Sequence, residues 1–403
     1  MIEQYKTRHL ILLVGTNPLP NYIAGKLLVD MEENEQDPYR IHFVCTDKSM
    51  VFAKHLEYHL KPDNEALQCD FIEVKDSDPD DIRHKIEKIL PQTNSIGLNY
   101  TGGTKAMAVH AYEAVKARYP NAVMSYLDAR TLQMIIKEGS QVVDKVPVGH
   151  LVNISLGKLL DLHHYEFLTT RKKGVFLPGT EPKFPQIARV LSTIPVNELR
   201  QWFEDNCQDI HKEDDEGKIA RIKNLRLPQE GPYEILKCVY GGATTFEELA
   251  EQLGTDALNT WKYFDGFWLE DHVLMCLKRL QPECTLDEIG MNVRVQPKQK
   301  HNKTPGINFE FDNYAIRGYR LFGISCTTAS WKAMSKQKLF EAYVRTTQMG
   351  GDEARVGVVC GTDRPDLVQA ELEEIWDAHG KIAVWGARDI PYLEERLKIW
   401  FNQ

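Results

Sequence analysis

Residues 97–115 read GLNYTGGTKAMAVHAYEAV. An apolar run ending at Asn99 gives way to Thr101-Gly102-Gly103-Thr104-Lys105, then to a stretch with helical spacing through Met107, His110 and Ala111. Strand, glycine turn and helix make a natural anion cradle. Glycines let backbone come close to a ligand, Thr104 can cap the helix, and the positive helix end and the Lys105 ammonium face the turn. Neither standard phosphate signature fits. A P-loop needs G-x-x-x-x-G-K-[ST] and a dinucleotide fingerprint needs G-x-G-x-x-G, whereas here two adjacent glycines precede Thr104 and Lys105.

Around this turn, residues 8–150 alternate between short apolar runs (RHLILLVG, RIHFVCTD, QCDFIEVK, SIGLNY) and helical stretches (NYIAGKLLVDMEE, DPDDIRHKIEKIL). That alternation predicts parallel pairing with right-handed crossovers, a Rossmann-like doubly wound sheet, which VMSYLDA and QMIIKEG extend or edge. Ligands of such sheets sit beyond the carboxyl ends of the strands. The loop after the first strand is Gly15-Thr16-Asn17-Pro18-Leu19-Pro20-Asn21. Loops 15–21 and 101–105 are therefore the candidate ligand loops.

A chain of 403 residues exceeds one ordinary core, so two or three domains are expected. No apolar run reaches the roughly 18–20 residues that span a bilayer, and the N-terminus lacks the features of a signal peptide. The eight cysteines show no C-x-x-C and no zinc spacing, and read as reduced thiols of a cytoplasmic protein. The net charge of −9 excludes wholesale coating of nucleic acid, yet Lys278 to Arg345 carry 12 Lys/Arg against 6 Asp/Glu. A basic segment in an acidic chain suits a polyanion there.

Residues 151–265 read as a linker and a small helical spacer. His163 and His164 are adjacent, so on a helix they diverge by about 100° and cannot chelate one metal together; they read as structural. PYEILKCVYGGATTFEELAEQL suggests two short helices across a Gly-Gly turn, with Thr245 and Glu248 as a capping box. The size resembles a winged-helix module, but FEELAEQL is acidic and unsuited to reading DNA.

Residues 266–403 order a helix carrying Glu270, strand-like NVRVQPK and INFEFDNYAIRG, a further strand YRLFGISCTT, the helix KQKLFEAYVRTT, a buried strand RVGVVCG and a closing helix. Glu310 and Asp312 share one strand face at i and i+2. This is the layout of the PD-(D/E)xK nuclease core, where carboxylates hold Mg²⁺ or Mn²⁺.

The GTNPLPN and NYTGGTK loops and the order W-L-E … E-F-D … I-x-C-x-T resemble the CARF-domain (CRISPR-associated Rossmann fold) nuclease effectors of type III CRISPR systems. The resemblance implies an α/β chain in three parts. These are a cyclic-oligoadenylate-sensing CARF domain over residues 1–150, a winged-helix-like spacer over 151–265, and a restriction-endonuclease-like domain over 266–403. It further implies a homodimer that holds cyclic tetra-adenylate across its two-fold axis and cleaves DNA or RNA. Glu270 and Asp312 would be metal ligands, with Glu310 beside them. The strand departs from the family's I-E-C-K-T: Ser325 stands for a metal-ligand glutamate and Thr327 for a lysine. Either the missing groups have moved to the following helix as Glu341, Lys336 and Lys338, or the protein is a non-catalytic sensor, sponge or regulator. Trp331 and Lys332 are candidates for guiding single-stranded nucleic acid by stacking and phosphate contact.

Overall fold

The computed structural model describes residues 2–30, 39–63, 66–90, 95–138, 141–170, 174–298, 309–329 and 332–403. The first sheet contains β1 (His9–Leu13), β2 (Arg40–Cys45), β3 (Gln68–Glu73), β4 (Ile96–Asn99), β5 (Val123–Asp128), β6 (Gln133–Glu138) and β7 (Gln141–Pro147), in the spatial order 3-2-1-4-5-6-7. The first five pair in parallel and the last two antiparallel. Helices α1 (Leu19–Leu28), α2 (Met50–Leu60), α3 (Pro79–Ile89) and α4 (Lys105–Arg118) make the crossovers. Every residue of β1 and β4 is buried, as for central strands covered on both faces. Strand order reverses between β1 and β4, and the two candidate ligand loops leave those two strands.

Next come α5 (Leu156–Leu162), β8 (Tyr165–Phe167), a short ribbon of β9 (Thr169–Thr170) and β10 (Gly174–Val175), and helices α6 (Pro185–Leu191), α7 (Val196–Cys207), α8 (Asp215–Ile222), α9 (Phe246–Leu253) and α10 (Ala257–Lys262). Here the structure departs from the sequence reading. β8 pairs with a strand of the second sheet, so part of the expected linker joins that sheet. Gly231–Val239 is 3₁₀-helical rather than α-helical, and the regular structure of residues 185–265 is otherwise helical, apart from one Arg226–Thr245 bridge. The Thr245–Glu248 capping box is present.

The second sheet joins β8, β11 (Glu288–Pro297), β12 (Phe309–Arg317), β13 (Arg320–Thr327), β14 (Arg355–Cys360) and β15 (Ile382–Trp385), in the order 15-14-13-12-11-8. β8, β11, β12 and β13 run antiparallel to their neighbours, and β13, β14 and β15 are parallel. Helix α11 (Trp268–Glu283) packs against β11 and β12; α12 (Lys332–Gly350) connects β13 to β14; α13 (Pro365–Trp376) and α14 (Leu393–Phe401) complete the chain. The eight cysteines carry no disulfide. No helix among the described residues is long and apolar enough to cross a membrane.

The two sheets share one apolar core. Leu10, Leu12 and Met134 of the first belong to the same buried cluster as Phe311, Tyr319, Leu321 and Met349 of the second. The buried Arg320 guanidinium donates to the carbonyls of Ala129 and Arg130, and Arg355 donates to that of Arg130, so the β5–β6 turn is bonded to the second sheet. Replacing Leu321, fully buried in this seam, by alanine is expected to cost about 2–5 kcal/mol. Calorimetry should then show both sheets losing stability in one lowered transition; a first-sheet transition left in place would show that the core is not shared.

Candidate functional site

The two ligand-candidate loops are built against each other. A Cβ on Gly102 would lie 2.2 Å from the Leu13 carbonyl oxygen and 2.8 Å from Asn21 Oδ1, so no larger residue fits. Gly103 has φ +75°, a conformation that favours glycine. Asn21, buried in α1, donates from Nδ2 to the Leu13 carbonyl at 3.0 Å and holds the end of β1 in place. Thr104 caps α4, its Oγ1 accepting from Met107 N–H at 3.2 Å. Thr101 Oγ1 accepts from Leu127 N–H at 2.8 Å and so fastens the turn to β5. Thr16, Thr104 and Lys105 remain exposed at the mouth.

Asn17 faces inward instead. Its Nδ2 donates to Glu353 Oε2 at 3.2 Å, and its Oδ1 accepts from Leu19 N–H at 3.2 Å and lies 3.2 Å from His163 Nε2. Glu353 follows directly on α12 and is fully buried. Burial pushes its carboxyl up to about 7, against the Asn17 hydrogen bond, and its Oε1 has no hydrogen-bond partner. Glu353 gave no sequence signal beyond an ordinary Gly-Asp-Glu turn.

The second group of candidates converges on a cavity of about 730 Å³ lined by Glu270, Glu310, Asp312, Ser325, Lys338 and Glu341 among others. One π-helical turn, Tyr263–Phe267, joins α10 to α11 and sets Glu270 in the first turn of α11. Such turns recur at functional sites. Asn313 donates from Nδ2 to the Glu270 carbonyl at 3.1 Å, docking the start of α11 on β12. The neighbouring Asp271 accepts from Tyr263 Oη at 2.7 Å and from Phe184 N–H at 2.8 Å, so it supports the helix from behind.

On β12, Asp312 Oδ2 accepts from Ser325 Oγ at 2.8 Å and from Cys326 N–H at 2.6 Å. Glu270 is pushed up to about 8, first by burial and then by Asp312, Glu310 and Asp271, with Lys338 opposing. Carboxylates crowded so that one of them is pushed up make this cavity a candidate functional site.

Not every candidate arrives. Lys336 is absent from the lining and pairs with Glu371 on α13. Glu341 lines the cavity but bonds Arg345 at 2.7 Å. Thr327 Oγ1 accepts from Ala329 N–H at 3.2 Å, a local turn bond. Trp331 lies outside the described residues, as does the Lys332 side chain. The sequence reading missed Asn292 and Arg294, which also line the cavity. Asn292 is left-handed (φ 55°) inside β11, a strained position that marks functional sites.

Comparison with known proteins bears on both halves. Residues 9–155 match the family model of the Card1 CARF domain. VC1899 from Vibrio cholerae superposes with a TM-score of 0.66 at 15% identity, covering 98% of this chain and 98% of its own. Can2 from Sulfobacillus thermosulfidooxidans, solved in complex with cyclic tetra-adenylate, superposes at 0.67 and 14% identity, with 100% of both chains covered. No curated protein matches by sequence. The first sheet with its two loops is thus a CARF domain. Over its full length, the chain has the fold of VC1899 and Can2.

Two expectations follow. Replacing Asn17 by alanine leaves Glu353 buried without its donor and is expected to cost about 1–3 kcal/mol, measured by chemical denaturation. A carboxyl whose folded pKa is raised contributes stability that is full below its unfolded value and is lost as pH rises through the folded value. Glu270→Gln in metal-free protein should therefore match the wild type near pH 4.5. By pH 8 it should become more stable, by on the order of 2 kcal/mol. Melting curves across that range check it; a pH-independent difference would contradict the crowding.

Proposed function

We propose that this chain is a metal-dependent nuclease of antiviral defence, switched on by a cyclic oligoadenylate of the size of cyclic tetra-adenylate and acting as a homodimer. The observation carrying the nuclease half is the convergence of Glu270, Asp312, Glu341 and Lys338 on one cavity, from a helix, a hairpin and the following helix. The CARF match over residues 9–155 and the ligand bound by Can2 support the activator.

Hard carboxylate oxygens from Glu270, Asp312 and Glu341 fit Mg²⁺ or Mn²⁺. Such an ion supplies positive charge against the charge developing on a phosphodiester under attack. The chain's own groups do the rest. Ser325 Oγ and Cys326 N–H fix the Asp312 oxygen, Lys338 brings a cation to the phosphate, and Arg294 and Arg345 on the cavity wall attract the backbone. The ring would lie over the exposed Thr16, Thr104 and Lys105. Its signal has a short route: Asn17 of the same loop bonds Glu353, at the end of the helix that carries Lys338 and Glu341. A rigid-body switch of this kind needs only a few kcal/mol of differential affinity.

A catalytically silent sensor is the second reading, favoured by Ser325 and Thr327 in the active strand and by the Glu341–Arg345 pair. Incubation with Mn²⁺, cyclic tetra-adenylate and labelled single- and double-stranded DNA and RNA separates the two. The nuclease reading expects ligand-dependent cleavage that Asp312→Ala abolishes and Ser325→Ala only reduces. Wild-type protein inert with both Mg²⁺ and Mn²⁺ would overturn it. Lys105→Ala is expected to weaken ring binding by about 1.5–3 kcal/mol, read by calorimetric titration, with the fold intact.

A further inference from the structure

Outside the carboxylate cavity, α2 and α5 meet in a seam that gathers imidazoles around one carboxylate. His55 and His59 stand one turn apart on α2, so they share a face. Asp161, near the end of α5, lies between them: its Oδ1 is 3.1 Å from His55 Nδ1 and its Oδ2 3.1 Å from His59 Nε2. One donor atom from each residue falls within 4.8 Å of the others. Around a tetrahedral ion with bonds of about 2.0–2.1 Å, neighbouring donors stand roughly 3.3 Å apart, close to both spacings. His59 Nε2 is buried and forms no aligned hydrogen bond despite its nearness to Asp161.

An outer contact supports the cluster. His55 Nε2 is 3.2 Å from His164 Nδ1, the kind of second bond that fixes the tautomer and ring plane of a metal-bound imidazole. His164 adopts φ 68°, a left-handed conformation uncommon outside glycine. The adjacent imidazoles accordingly diverge, His163 toward Asn17 and His164 toward His55.

We propose that His55, His59 and Asp161 bind a divalent transition-metal ion of the zinc class, with His164 orienting His55, and that the ion fastens the CARF helix α2 to α5. The donor set is two nitrogens and one oxygen, which suits zinc, cobalt or nickel rather than the Mg²⁺ or Mn²⁺ of an all-oxygen cavity. Two ammonium groups face the seam. Lys298 bonds Asp161 directly, and Lys158 acts on His59. Lys298 is the cation that balances Asp161 in the ion-free seam, so ion and ammonium compete for one carboxylate.

The test uses the full-length chain carrying Asp312→Asn, stripped with a chelator and titrated with Co²⁺. One equivalent is expected to raise the visible absorption of tetrahedral cobalt, zinc should displace it, and zinc should raise the melting temperature. His59→Gln should abolish the band, and His164→Phe should weaken binding roughly ten- to a hundredfold. Lys298→Met removes the competitor without touching a ligand, so it should tighten binding. Absence of the band in both the wild-type seam and the Lys298→Met protein would overturn the proposal, as would a band that His59→Gln leaves unchanged. Should His59→Gln fail to fold, the Lys298→Met titration still decides.

Discussion

The structure depends on a buried contact between a loop of one sheet and a turn of the other. A Cβ on Gly351 would sit 2.6 Å from the Asn17 side-chain nitrogen and oxygen, so glycine is required for the GTN loop to seat there. Glu353, two residues on, accepts from Asn17 at 3.2 Å in a place sealed from water. An ionised carboxyl in such a place is costly unless paired, and one amide is a thin counterweight. Loop 15–21 and the end of α12 therefore cannot shift independently without exposing or orphaning Glu353. The shared core of Leu10, Leu12, Tyr319 and Leu321 makes the same demand on a larger scale. The two sheets form one packed body here, rather than two beads on a linker.

A second strain lies in the cavity. Glu270, Glu310 and Asp312 face one cavity, with Lys338 opposing their charge at Glu270 and Arg294 paired to Glu310 at 3.2 Å. The fold bears this because the helix start is held elsewhere: Asn313 bonds the Glu270 carbonyl, while Asp271 takes Tyr263 and Phe184. Local repulsion is tolerated where surrounding bonds over-determine the backbone, and such sites are where function is found.

Much of this was legible in the sequence. The parallel sheet and its paired loops follow from strand–helix alternation and from two glycine-rich turns, because β1 and β4 are apolar on both faces and the glycines sit where chain meets chain. Glu270, Asp312 and Glu341 were nameable from element order, and they do line one cavity. What stayed hidden is tertiary. Asn17 reads as a ligand residue but turns inward to Glu353. Lys336 shares a helix with Lys338 yet faces α13, since neighbours two apart on a helix point different ways. β8 is a three-residue strand whose only cue is its partner β11. His164 was judged against His163, its neighbour in sequence, whereas its partner is His55, 109 residues away.

The departure from I-E-C-K-T is locally consistent once its neighbours are in view. A glutamate at position 325 would set another carboxyl against Asp312, which now accepts from Ser325 Oγ at 2.8 Å. Serine turns that potential repulsion into a donated hydrogen bond, and Cys326 N–H adds a second on the same oxygen. Crowding then concentrates on Glu270, whose carboxyl rises to about 8. Adding positive charge there stabilises the ionised form of Glu270 and relieves the repulsion at once, so affinity for a cation and destabilisation of the empty cavity have one physical origin. Loss of the strand glutamate thus removes a possible ligand without removing the electrostatic reason for a cation to bind. Under the nuclease reading proposed above, the cost would fall on geometry, because Glu341 is held by Arg345 at 2.7 Å and would have to leave it.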